Sequence, residues 1–205
     1  MKKSAVVGVV VALGAVWTGT AWYTGQKAEA FVKQSVEQAN VELQKFGEKW
    51  GVAAVVELVS FERGVFSSTE RYRVKITEPA ADGKPAQEHE IQFVEHLDHG
   101  PFPLSNLKSG SFAPAMVASR FQLEETPAVK DWFAATKGVV PLSGAYSVSY
   151  ARNVAGTFDM APVEFAKDDT SLSFSGMKGD VTYATDSKHG TIALAAESLV
   201  AAGPA

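Results

Sequence analysis

Phe66-Ser67-Ser68-Thr69-Glu70-Arg71-Tyr72-Arg73-Val74-Lys75-Ile76-Thr77 alternates with a period of two. Phe66, Ser68, Glu70, Tyr72, Val74 and Ile76 share one face, and Arg71, Arg73, Lys75 and Thr77 the other. Successive strand side chains point to opposite faces, so this alternation predicts a half-buried β-strand over Val65 to Glu78. Upstream, Val52 to Phe61 is β-branched and apolar, and Arg63-Gly64 separates the two runs. Downstream, Pro79 to Pro85 has the composition of a turn. Gln87 to Asp98 reads as the returning strand, with Ile91, Phe93 and Leu97 on one face.

His99-Gly100-Pro101-Phe102-Pro103 must break the ladder, because its prolines lack amide donors and fix φ. A further strand is predicted over Ala115 to Leu123. A helix follows, with Thr126 as N-cap, Pro127 at the first helical position, Trp132 and Phe133 inside, and Gly138 past its end. From Gly144 onward the expected strands are Ala145–Ala151, Thr157–Phe165, Ser171–Ser175, Asp180–Thr185 and Thr191–Leu199. Turns are expected at Asn153–Gly156, Lys167–Asp169, Gly176–Gly179 and Asp186–Gly190. Regular short strands favour an antiparallel meander, and nothing following the last strand in this chain covers its edge.

The N-terminal half of the chain's first fifty residues is different. After Lys2-Lys3, Ser4 to Tyr23 carries no charge and ends in Trp17, Trp22 and Tyr23. As a helix it would reach roughly 30 Å, the thickness of a bilayer's hydrocarbon core. The lysines suit the cytoplasmic side and the aromatic residues the opposite interface. A cleaved secretory signal shares this pattern, with Gly19-x-Ala21 or Ala28-Glu29-Ala30 as the small-x-small site. The length and the aromatic collar favour an uncleaved anchor over 1–25. Residues 26–50 then read as a juxtamembrane amphipathic helix, stopped by Gly51. Its apolar positions Val32, Val36, Ala39, Leu43, Phe46 and Trp50 form a heptad-like seam. That seam either packs on the chain's own sheet or forms a homodimer. The predicted class is α+β: anchor, amphipathic helix, an antiparallel β-domain over 51–200 with one packed helix, and a short tail over 201–205.

The 205 residues contain 46% hydrophobic and 20% charged residues and a net charge of −4, which excludes a disordered chain. Basic residues after Lys3 are scattered singly, so no nucleic-acid stripe exists. The absence of cysteine excludes disulfides, thiolate catalysis and cysteine-based zinc sites.

Arg63-Gly64-Val65-Phe66-Ser67-Ser68 and His99-Gly100-Pro101-Phe102-Pro103 carry a resemblance to the YdgA-like family of bacterial envelope proteins, a family of unknown function. Ala21-Trp22-Tyr23-Thr24-Gly25 resembles the end of that family's anchor, and Ala161-Pro162-Val163-Glu164 a later motif. Val65 departs from it, standing where the family has tryptophan. The resemblance implies a bacterial inner-membrane location, with most of the chain in the periplasm, and implies no reaction. Members of that family are much longer, which makes this chain a short or truncated one.

Candidate chemistry is sparse. Glu95-His96-Leu97-Asp98-His99 is the one cluster with metal-ligand residue types. On a strand, however, His96 and His99 point to opposite faces, and zinc needs three or four ligands. A hydrolase built on Glu95 to His99 is the alternative reading. No Gly-x-Ser-x-Gly elbow, dinucleotide fingerprint or phosphate loop is present. Glu124-Glu125 and Asp168-Asp169 fall at a helix start and in a turn, where acidic residues are common. Phe102, Phe112, Trp132, Phe133, Tyr146, Tyr150, Phe158, Phe165, Phe174 and Tyr183 are many rings for a thin meander. They form one core, or they leave an apolar face open to a lipid or an envelope protein. The expectation is therefore a non-enzymatic, single-pass membrane protein without cofactor or metal, binding an apolar ligand or partner or associating with itself.

Overall fold

The structure, a computed structural model, describes residues 2–80, 85–167 and 170–203, with the side chains of residues 2–14, 17, 50 and 167 outside that description. A single helix, α1 (Lys2–Trp50), runs without interruption through Gly25. At 1.5 Å per residue its 49 residues span roughly 73 Å. The side chains of residues 2–14 and of Trp17 make up most of the expected anchor, so the anchor reading lies outside the described residues. Among the described residues no helix is long and apolar enough to cross a membrane.

The opening alternation is realised in a sheet. In chain order the strands are β1 (Ala53–Arg63), β2 (Ser67–Glu78), β3 (Gln87–His99), β4 (Val117–Glu124), β5 (Leu142–Val148) and β6 (Val154–Met160). They continue with β7 (Val163–Lys167), β8 (Thr170–Phe174), β9 (Met177–Ala184), β10 (His189–Ala196) and β11 (Leu199–Ala202). Short helices α2 (Leu104–Lys108) and α3 (Lys130–Ala135) fill the connections on either side of β4. The larger sheet is antiparallel, in the order β1-β2-β3-β4-β5-β6-β9-β10, and β11-β8-β7 form a smaller one.

The two sheets share three long strands, each broken once. β6 and β7 are separated by Ala161-Pro162, β8 and β9 by Ser175-Gly176, and β10 and β11 by Glu197-Ser198. Proline removes a ladder donor, and Gly176 turns at φ 88°, so the ribbon bends here. Ser175 closes the gap: its Oγ accepts the amides of Glu197 (3.1 Å) and Ser198 (3.0 Å).

Several expectations change. Gly176–Gly179, expected as a hairpin turn, is the bend followed by strand, because β9 pairs on both sides from Met177. The turn expected at Asn153–Gly156 precedes Val154, and Tyr150 and Ala151 belong to it rather than to a strand. Thr126 does not cap α3: its hydroxyl reaches Glu90 O at 3.4 Å, while its carbonyl accepts Val129 N in a turn that delays the helix to Lys130. Gly138 does end that helix, at φ 80°. Asp168-Asp169 and most of the Pro79–Pro85 turn lie outside the described residues. Ala201 and Ala202, expected as tail, form the end of β11.

α1 packs along β1 and β3, antiparallel to both. Asn40 bridges it to β1, with Nδ2 donating to Val56 O (2.8 Å) and Oδ1 accepting Val56 N (2.7 Å). The core under the helix contains Ala28, Leu97, Val117 and Val148. On the reverse face Arg73 and Lys75 pair with Glu57 (3.4 and 2.9 Å) and Arg73 with Glu90 (3.0 Å). Water screens these exposed pairs, so they add little to stability.

Candidate functional site

Three separated segments meet where β3 reaches the helix. His99 ends β3 fully buried, and its Nδ1 lies 2.9 Å from Ala21 O. A carbonyl only accepts, so Nδ1 carries the proton and donates it. Burial holds the imidazole pKa below its ordinary value, opposed by the carbonyls of Ala21 and Ser67. The ring lies on Gly25, where an added Cβ would come within 2.6 Å of His99 Cε1. Thr24 is buried beside it, its hydroxyl donating back to Ala21 O (3.0 Å) or Thr20 O (2.9 Å). Gly64 N donates to Ser67 O (2.7 Å), His99 N to Phe66 O (2.9 Å), and Arg63 reaches Glu29 (3.4 Å). Residues 21–25, 63–68 and 99–103 are therefore one joint, in which Gly100 turns at φ 118°, Pro103 is buried and Phe102 faces outward.

The Glu95-to-His99 cluster does not assemble. Glu95, Leu97 and His99 face the helix, whereas His96 lies exposed beside the Thr69 hydroxyl (3.2 Å). Asp98 accepts Ser105 N at 2.8 Å, holding α2 against the sheet's reverse side. Among the described residues no group of three or more His, Cys, Asp or Glu is placed to hold a metal ion.

What sequence reading missed is that Glu95 stands opposite Glu70 in a buried acid pair. Cross-strand register runs Phe61–Glu70–Glu95–Phe121–Gly144–Phe158–Gly179–Leu194 along one line of the helix-side face. Glu70 is 0% exposed and neither carboxyl oxygen has a hydrogen-bond partner. Its pKa is pushed up to about 8, first by burial and then by repulsion from Glu95, outweighing its own amide and the Ser68 hydroxyl. Glu95 accepts from Tyr146 Oη (2.6 Å) and from Ser119 Oγ. Burial and Glu95 together raise the phenol pKa values of Tyr72 and Tyr146. Glu70 at an inward register position, flanked by Tyr72 and Val74, was the available signal.

Beyond the helix the same face opens. Phe121 lies over Gly144 and Phe158 over Gly179, each where a Cβ would collide with the ring. Phe121, Tyr146, Val154, Phe158 and Val181 line an apolar groove of about 210 Å³. Ile192 and Leu194 continue the face and are 69% and 60% exposed. The expected aromatics thus divide. Trp132, Phe133, Tyr146, Phe158 and Phe174 are half-buried, whereas Phe102, Phe112, Tyr150, Phe165 and Tyr183 are exposed.

The seam of α1 also divides. Val32 is buried in the core, Val36 and Leu43 are half-buried, Ala39 and Phe46 are exposed, and the Trp50 side chain is outside the described residues.

Comparison with known proteins adds relatives but no reaction. A family described as "Bacterial protein of unknown function (DUF945)" matches residues 1–205. The protein YdgA of Escherichia coli K12 is 34% identical over 177 residues, which is 86% of this chain and 35% of that protein. The uncharacterized YihF of the same organism is 29% identical over 190 residues, 91% of this chain and 37% of that protein. An uncharacterized Haemophilus influenzae protein is 29% identical over 175 residues, 85% of this chain and 46% of that protein. The chain thus spans under half the length of these relatives. No solved structure matches.

Proposed function

The chain belongs to the bacterial DUF945 family of unknown function, and from that premise we propose that it is a membrane-anchored, non-enzymatic envelope protein whose sheet holds an apolar, lipid-like ligand. The observation that carries this reading is the open apolar face. α1 covers the β1–β3 side of the sheet, while the groove floored by Phe121, Phe158 and Val181 and the adjoining Ile192 and Leu194 stay uncovered. A contiguous apolar surface beside a polar frame is costly in water unless something occupies it. The uncharged Ser4–Tyr23 stretch behind Lys2-Lys3 supports an N-in anchor in the inner membrane, with the domain in the periplasm.

Native mass spectrometry of detergent-extracted protein tests the ligand reading. The expected result is co-purifying lipid that is lost in Val181→Asp, with the circular dichroism spectrum unchanged. Protein that carries no apolar ligand, from native membranes or after lipid is added back, rejects it.

Self-association is a second reading, favoured by the outer edge. β10 and β11 are exposed throughout, and Ile192, Leu194, Leu199 and Val200 carry no charge. Such an edge pairs readily with another strand.

A further inference from the structure

The register of the strands against α1 fixes which loops lie towards the helix's N-terminal half. β1 begins next to Gly47 and ends with Arg63 at Glu29, and β3 ends with His99 at Ala21. Antiparallel pairing then brings connections 64–66, 100–116, 149–153 and 185–188 to this same end of the sheet. From Ala21 the helix runs on past them for nineteen residues to Lys2, roughly 28 Å.

Three of these four connections carry exposed rings or basic residues. Phe102, Phe112 and Tyr150 within them are exposed, Phe112 to 74%. Their charged residues are Lys108, Arg152 and Lys188 against Asp186 alone. Thr185 ties two of the turns together, its amide donating to Asn153 Oδ1 (3.1 Å) and its hydroxyl to Arg152 O (2.6 Å). Arg152 (φ 63°) and Lys188 (φ 52°) both hold left-handed backbone, where glycine or asparagine would be less strained. On the same level the helix exposes Trp22 and Tyr23. Aromatic rings with basic residues and almost no acid match the headgroup region of an anionic bilayer, not water and not an acidic partner alone.

We propose that this end of the sheet is a lipid-facing rim: Phe102, Phe112 and Tyr150 enter the interface of the membrane from which α1 emerges, and Lys108, Arg152 and Lys188 meet anionic phospholipid headgroups. The rim rests on the anchoring of α1 proposed above. It sets the domain's orientation, holding the joint at His99 against the membrane and the sheet upright from it.

The chain has no cysteine, so single substitutions place unique fluorescent labels. Full-length protein labelled at Val10→Cys, Phe112→Cys or Glu88→Cys is reconstituted in phosphatidylcholine vesicles containing phosphatidylglycerol, with brominated acyl chains as quencher. The expected result is loss of emission at positions 10 and 112 and none at 88, which lies at the opposite end of the sheet. Quenching at 112 should weaken when Lys108, Arg152 and Lys188 are all changed to Glu. If position 10 is quenched but 112 responds to aqueous iodide instead, the rim stands in water and the proposal is overturned while the anchor survives. If 112 responds to neither quencher, protein covers it and the proposal is again overturned. If position 10 escapes the brominated lipid, the anchor fails and the rim with it.

Discussion

Glu70 keeps a carboxyl fully buried, where its own amide and the Ser68 hydroxyl do too little to stabilise its charge. Its pKa, pushed up to about 8 from 4.5, means the folded chain takes up a proton that the unfolded chain releases at lower pH. Glu70's own contribution to stability is then full below about pH 4.5 and is lost as pH rises through about 8. Glu70→Gln should remove most of that slope. Denaturant midpoints at acidic and alkaline pH check it, and parallel pH profiles for wild type and variant would reject the assignment. Gly25 makes the opposite point about helix rules. Replacing an interior helix glycine by alanine normally stabilises by up to about 1 kcal/mol. Here the new Cβ meets the His99 ring, so Gly25→Ala should destabilise by about 1–3 kcal/mol. The double variant Gly25→Ala with His99→Ala should recover part of the difference, and a strictly additive cycle would show that the two residues do not touch.

Elements in this chain are decided by their neighbours as much as by their own residues. The heptad-like spacing along α1 is real, yet the helix turns Val32, Val36 and Leu43 towards β1 because the sheet lies on one side only. Thr126 and Pro127 form a sound start signal, but Thr126 is drawn to Glu90 and the helix begins later. Of the bends at Pro162, Gly176 and Ser198, composition presents only the second as a turn; the other two break the strands expected over Thr157–Phe165 and Thr191–Leu199. Ser175 joins the outer two of these at the break, accepting two amides. Ser175→Ala should cost about 0.5–1.5 kcal/mol locally, since two exposed amides exchange their acceptor for water. Hydrogen exchange should show faster exchange confined to β8 and β11. A uniform loss of protection across β1–β6 would contradict a local role.

At the scale of the molecule, one helix covers part of a sheet that continues past it. The side it leaves open is apolar, and among the described residues no strand pairs with the outer edge along β10 and β11. In a two-fold antiparallel pairing, a residue near the middle of β10 would lie beside its own copy. Ala193→Cys should therefore form an intermolecular disulfide in the full-length protein, whereas Tyr183→Cys on the neighbouring strand should not. Ile192→Lys together with Leu194→Lys should abolish the crosslink, because charged residues protect edges. Equal crosslinking at both positions would indicate random collision.

The sequence by itself determined the α+β class, the strands from Ala53 to Glu124 within a few residues, the family, and the opposite facing of His96 and His99. The strands and the facing of the two histidines follow from local periodicity, and the family from a resemblance in four short motifs; neighbours along the chain suffice to express each. Only the tertiary structure decided that residues 21–25, 63–68 and 99–103 form one joint, that Glu70 stands beside Glu95, and that Phe121 and Phe158 lie on glycines. Each depends on strand register between residues distant in sequence. Register follows from the sum of many weak pairings over the whole sheet, which no short motif encodes.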